Sequence, residues 1–294
     1  MSAAPATLAV RADLAGGPPP RRVEPVALLA LPGAGYLAIA FAVPLALLLA
    51  SSVVSDGRLT LAGYRAFLAD PFSWTVMANT LRAASLTTLI CLVAGYPTAF
   101  ALARATGVLQ AALLTALVLP LSVGVVVKAF AWTILMRSDG VVNRTLLGIG
   151  AIDTPIRLLF TEAGLVLGAV NVFLPFMVLP IFSVVKLIDP RLLEAAATLG
   201  SSPSHRFFRV TVPLTMPGVI AGVAFVFSMA VSMYVIPTLL MGDRFKTLSV
   251  LIARSFLFMR DRSLGSTASV MLLLIAVAVV VASALLTRRW QPQR

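Results

Sequence analysis

Asp189 to Pro213 read DPRLLEAAATLGSSPSHRFFRVTVP, a polar island of about 25 residues between two long apolar runs. The stretch predicts two short helices joined at a glycine. Asp189 can accept from the free N–H groups of a first helical turn, Pro190 suits that turn, and Gly200 supplies the left-handed conformation that ends it. Ser202 and Pro203 repeat the start signal, and Pro213 is expected to close the second segment before the next apolar run. Leu192, Leu193, Ala196 and Leu199 recur at helical spacing, so the first helix is amphipathic and needs a surface to pack on.

The rest of the chain gives that island its setting. Of the 294 residues 60% are hydrophobic and only 12% charged. With a mean hydropathy of +1.00, this lies far from the roughly 45–50% apolar and 25% charged composition of soluble domains. The chain is an integral membrane protein. Its net charge of +12 does not point to nucleic acid, because the basic residues are scattered over loops rather than gathered in a stripe. Contact with anionic membrane lipid accounts for them. Cys91, the single cysteine, lies in an apolar run, which excludes an internal disulfide, a CxxC redox pair and a cysteine-based zinc cluster.

Outward from the island, six spans are expected. Residues 1–24, with PPPRR at 18–22, read as a disordered cytoplasmic tail whose Arg21 and Arg22 hold the first span inside. That span covers about Pro25 to Val54, too long for the core of a cleaved leader. In residues 55–74, Leu61, Tyr64 and Leu68 suggest a short interfacial helix, with Phe72 and Trp74 at headgroup depth. The second span, about Thr75 to Ala103, carries Asn79, Thr80 and an outer Arg82 that can snorkel.

A short turn at Arg104 to Gly107 leads to a third span, about Val108 to Met136, which Pro120 and Gly124 can loosen. Lys128 on it either lines an aqueous cavity or reaches the outer interface. The loop from Arg137 to Glu162 suits another interfacial helix. Span four is about Ala163 to Leu187, span five about Leu214 to Met241 and span six about Thr267 to Leu286, before a cytoplasmic tail at 288–294. Both termini are then cytoplasmic, as is the island. Positive-inside support is mixed, since residues 242–264 are also basic; re-entry or packing on the bundle would discount them. No inverted repeat relates the halves.

The chemistry-bearing residues are few. No G-x-x-x-x-G-K-[ST] phosphate loop is present, and His205, the only histidine, has no partner for metal or triad chemistry. The spans as drawn carry no interior Asp or Glu, where a tight cation site would want carboxylates or an aromatic cage. Lys128, Trp132, Asn171, Ser228 and Tyr234 are the candidates for a weak solute pathway, and Lys128 leans toward an anionic or zwitterionic solute. A proton- or sodium-coupled carrier should place carboxylates or broken helices at the midplane, and a membrane enzyme should cluster His, Asp or Ser at an interface. Neither pattern is legible.

Glu194, Ala195, Ala196 and Gly200, then Val210, Val212 and Pro213, resemble the EAA signature of ABC importer permeases, E-A-A, three residues, G, nine residues, I-x-L-P. Val210 and Val212 stand where that pattern has Ile and Leu. The resemblance covers nearly all of the chain from about residue 26 and narrows to the polyamine (spermidine/putrescine) branch on GYPTAFALA (95–103), KAFAWTILMRSDGVVN (128–143), NVFLPFMVLP (171–180) and IPTLLMGD (236–243). Permeases for 2-aminoethylphosphonate, opines, thiamine and iron are similar at this depth. Lys128 stands where relatives often have Arg, and MGD at 241–243 replaces Gly-Gly, so the family's outer gate is not carried over onto these positions.

The resemblance implies an all-α integral membrane fold of six transmembrane helices over residues 25–287, with the island as a cytoplasmic EAA coupling helix. Arg191, Glu194, Ala195, Ala196, Gly200 and Pro213 would then couple to an ATPase, Glu194 pairing either with a basic group there or with Arg191. It implies a bacterial inner-membrane location and alternating access driven by a cytoplasmic ABC ATPase dimer that carries the ATP and Mg. A second permease subunit forming a heterodimer and an extracytoplasmic solute-binding protein complete the assembly. On this reading the chain itself binds no cofactor and is not an enzyme.

Overall fold

A computed structural model describes residues 25–55, 58–242 and 246–290. The expected tail at 1–24 with Arg21 and Arg22, the chain end at 291–294, and Asp243 lie outside these residues. The described chain forms two units, one ending at Leu47 and one beginning at Leu48. The first consists of the greater part of α1 (Pro25–Val53), an apolar helix carrying Pro32 and Pro44.

In the second unit, a two-residue antiparallel ladder of β1 (Val54–Ser55) and β2 (Arg58–Leu59) leads to α2 (Ala62–Ala69). The short helix expected here is present, with Phe67 buried and the Tyr64 hydroxyl sharing a 2.7 Å hydrogen bond with Ser52. The next helix, α3 (Pro71–Arg104), starts earlier than Thr75 because Asp70 caps it, accepting from the Phe72 N–H at 3.0 Å, and Pro71 fits its first turn. Phe72 and Trp74 are therefore the exposed first turn of this helix rather than a separate surface segment.

The third span is not one loosened helix. It is α4 (Gly107–Val118), a 3-10 turn at Leu119–Ser122 and α5 (Val125–Leu135), bent by 100° at the break. Pro120 removes one backbone donor, and Gly124 leaves the helical region to cap α5. Past α6 (Val141–Gly148) the chain enters α7 (Glu162–Lys186), whose cap Thr161 accepts from the Gly164 N–H at 3.2 Å.

After the island, α10 (Val212–Ser232) ends at Met233, and α11 (Val235–Leu240) follows. Span five is thus also broken, against expectation. The reason lies four residues on: the ring of Pro237 would clash with the Met233 carbonyl in a continuous helix and offers no N–H to it. α12 (Leu248–Arg254) and a π-helical turn at Ser255–Met259 precede α13 (Arg262–Trp290), which runs past both expected ends of span six.

Residues 246–259 pack on the bundle. Leu248 and Leu251 join Phe67, Val76 and Ala268 in a small apolar cluster, and Thr80 of α3 accepts the Leu248 N–H at 2.8 Å, capping α12 from outside. The main core lies between α3, α7 and α10, with α5 and α11 packed beside them. Gly218 and Gly222 let α10 approach α7, since a Cβ at Gly218 would stand 2.8 Å from the Pro180 carbonyl oxygen and one at Gly222 2.9 Å from the Met177 sulfur. Among the described residues five helices are long and apolar enough to cross a membrane, and six if the bent pair α4–α5 counts as one.

Candidate functional site

The polar island folds as an elbow at one end of the bundle. Its first arm, α8 (Pro190–Thr198), is capped by Asp189, whose carboxylate accepts from the Arg191 N–H at 2.9 Å. At its far end the Gly200 N–H reaches the Ala197 carbonyl at 3.0 Å and the Ser201 N–H the Ala196 carbonyl at 3.1 Å. This pair of bonds is the Schellman arrangement, which needs a left-handed residue at the turn; Gly200 has φ +78°. Ser202 caps the second arm, α9 (Pro203–Arg206), accepting from the His205 N–H at 3.3 Å.

Pro213 does not end the second arm. A π-helical turn at Phe207–Thr211 carries α9 directly into α10, so that residues Pro203–Ser232 run as one span. The Val212 N–H bonds to the Phe207 carbonyl, five residues back, and this wide turn takes in a proline that an α-helical register would reject.

On α8 only Leu193 and Ala196 are half-buried; Arg191, Leu192, Glu194 and Ala195 are exposed, and Leu199 is 87% exposed. Glu194 forms no ion pair with Arg191 among the described residues, so its carboxylate is left for another surface. Ala196, Leu199, Gly200, His205 and Arg209 help line a cleft of about 580 Å³ inside the elbow. The arrangement offers a capped helix whose outer face, with Leu192, Glu194 and Leu199, is exposed.

Behind the elbow an aromatic cluster joins it to α3. Phe207 lies 6.3 Å, centroid to centroid, from both Tyr96 and Phe100 and 5.2 Å from Phe208, and the Tyr96 hydroxyl shares a 3.0 Å hydrogen bond with Thr215. Sequence reasoning passed over this cluster. Its signal was the FF pair within the island and the tyrosine of the GYP at 95–97.

The five pathway residues fall on elements at and around the two helix breaks. Lys128 and Trp132 lie on α5, which packs against α11; Tyr234 sits in the break before α11; Asn171 is on α7 and Ser228 on α10. No side-chain hydrogen bond joins any two of them. Lys128 is buried, Trp132 and Ser228 are half-buried, and Asn171 and Tyr234 are exposed. The Ser228 hydroxyl is shut from solvent without a partner, and no carboxylate among the described residues pairs with Lys128.

Two further features were missed. Arg82 does not simply snorkel but forms an ion pair with Glu162, the first residue of α7. Eighty positions apart, the two have no sequence pattern that links them. Asn143 is fully buried on α6; its amide donates to the Arg137 and Ile156 carbonyls at 3.1 and 2.9 Å and accepts from the Ile156 N–H at 2.8 Å. This side chain folds the loop between α5 and α7 onto itself.

A family model described as binding-protein-dependent transport system inner membrane component matches residues 35–292. The spermidine/putrescine transport system permease protein PotB of Escherichia coli (strain K12) is 37% identical over 216 residues, covering 74% of this chain and 78% of that protein. PotB of Haemophilus influenzae is 36% identical over 226 residues, covering 76% of this chain and 79% of that protein. Among solved structures, a chain of a bacterial alginate ABC transporter, crystallised with its alginate pentasaccharide-bound periplasmic protein, has the same fold. The TM-score is 0.74 at 18% identity, over 90% of this chain and 94% of that one.

Proposed function

The chain belongs to the family of binding-protein-dependent transport system inner membrane components, and from that premise we propose that it is the permease subunit through which an ATP-driven importer moves a polyamine of the spermidine/putrescine type. Identity of 36–37% to two spermidine/putrescine permeases supports the solute class. The permease domain is assigned to residues 25–287, with both chain ends on the cytoplasmic side.

The observation that carries the reading is the elbow: a doubly capped helix with exposed Leu192, Glu194 and Leu199, fixed by a left-handed glycine. Such a helix fits a groove on a separate cytoplasmic ATPase, which brings the ATP and Mg. Arg191, Glu194, Ala195, Ala196 and Gly200 make that contact, and Pro213 carries it into the span. An extracytoplasmic binding protein and a second permease subunit complete the assembly.

One observation favours a second reading of the solute. Lys128 is buried beside a helix break without a carboxylate partner among the described residues, which suits an anionic or zwitterionic solute such as 2-aminoethylphosphonate better than a polycation. The test is to purify the complex and measure its ATP hydrolysis with the binding protein loaded in turn with spermidine, putrescine and 2-aminoethylphosphonate. Stimulation by the polyamines supports the proposal, and stimulation by the phosphonate alone transfers the assignment to the second reading. Failure of an ATPase to co-purify would refute both.

A further inference from the structure

A slot of about 400 Å³ between α3 and α7 is lined by Leu86, Ile90, Glu162, Ala163, Val166 and Leu167, and Glu162 is paired with Arg82, one turn before Leu86 on α3. The depth of this slot follows from helix lengths. Arg82 lies about 22 residues from Arg104, the last residue of α3, and Glu162 about 24 from Lys186, the last of α7, or roughly 33 and 36 Å of helix. Those lengths match a hydrocarbon core of about 30 Å. The ion pair therefore sits at headgroup level on the face opposite the elbow. Leu86 and Val166, one turn further in, and Ile90, two turns in, follow the path of an acyl chain.

The headgroup end is charged in both senses and only partly satisfied. Arg82 is 67% exposed along its side chain and has donors to spare after one bond to Glu162 Oε2. Glu162 is 22% exposed, and its Oε1 has no hydrogen-bond partner. Glu162 itself lines the slot, and a small turn about its terminal carboxyl torsion, which is broad, would bring that buried oxygen to it.

We propose that the slot holds a phospholipid with a primary-amine zwitterionic headgroup, phosphatidylethanolamine, in the leaflet opposite the elbow. Its phosphate accepts from the Arg82 guanidinium, its ammonium donates to Glu162, and one acyl chain lies along Leu86, Ile90 and Val166. A choline headgroup has no N–H to donate and forfeits the second contact. The site is independent of the solute carried.

The test uses the full complex with its ATPase and partner permease, reconstituted in bilayers of phosphatidylethanolamine or phosphatidylcholine, each mixed with phosphatidylglycerol, and read by native mass spectrometry for retained lipid. The wild type is expected to retain the ethanolamine lipid over the choline lipid by up to about fivefold, the worth of one ion pair near a surface. Glu162→Gln should bring the two to parity. Leu86→Trp, which fills the slot and leaves the ion pair in place, should lower retention of both, so a folding defect in the first variant does not decide the matter. Equal retention by the wild type, a preference unchanged in Glu162→Gln, or retention of both lipids undiminished in Leu86→Trp overturns the proposal. Displacement of the lipid by free spermidine overturns it too, assigning the slot to the solute.

Discussion

Replacing Gly200 by valine tests the conformation of the elbow without a clash inside the chain. A Cβ at this position meets nothing within 4 Å, so the leading cost of the substitution is conformational. At φ +78° an L-residue pays about 1–2 kcal/mol, and a β-branched one stands at the upper end. That reduces the preference for the Schellman turn by roughly 5- to 30-fold. The two bonds from the Gly200 and Ser201 N–H groups loosen, and α9 leaves its angle to α8. The protein should insert and pack as before, while uptake into proteoliposomes falls by about the same 5- to 30-fold factor per ATP hydrolysed. Gly200→Asn, which tolerates the left-handed region, should keep most of the uptake. Wild-type transport by a well-assembled Gly200→Val complex would refute the reasoning.

Other perturbations read other parts of the structure. Glu194→Lys should leave insertion intact and lower coupled uptake at least about tenfold, because like charges brought together at an interface cost several kcal/mol; the ratio of transport to hydrolysis checks it. Asn143→Ala removes three hydrogen bonds and orphans the Ile156 N–H, which should cost about 2–3 kcal/mol and expose residues 137–160 to protease. Gly218→Val drives a side chain into the Pro180 carbonyl and should destabilise the α7–α10 contact by about 1–3 kcal/mol, seen as a lower thermal midpoint of the purified complex.

The elbow was legible because its determinants are local. Asp189, Pro190, Gly200, Ser202 and Pro203 act within a few residues of themselves, and each cap forms as the spacing implies. The spans were legible as apolar runs. Their breaks were not, although one signal was available: a proline disturbs the carbonyl four residues before it, so Pro237 marks Met233. Pro120 and Gly124 announced a weak point, but the 100° bend depends on α5 finding a place against α11, which no local pattern encodes. The opposite error was made at Pro213, where a helix stop was expected and a π-helical turn carries the chain through. Contacts between distant residues, such as Arg82 with Glu162 or Thr80 with Leu248, left no trace in spacing.

Because the π-helical turn replaces a stop, the outer arm of the elbow and the fifth span form one rod from Pro203 to Ser232, 30 residues and about 45 Å long. Phe207 clasps that rod near its base against Tyr96 and Phe100, which gives it a fulcrum. Were α10 and the α7 it packs on at Gly218 and Gly222 to swing together by about 10° about this point, the far tip beside Tyr234 would travel roughly 7 Å, more than one helical pitch. Small displacements at the base would thereby be magnified into sideways travel where the rod meets the Met233 break.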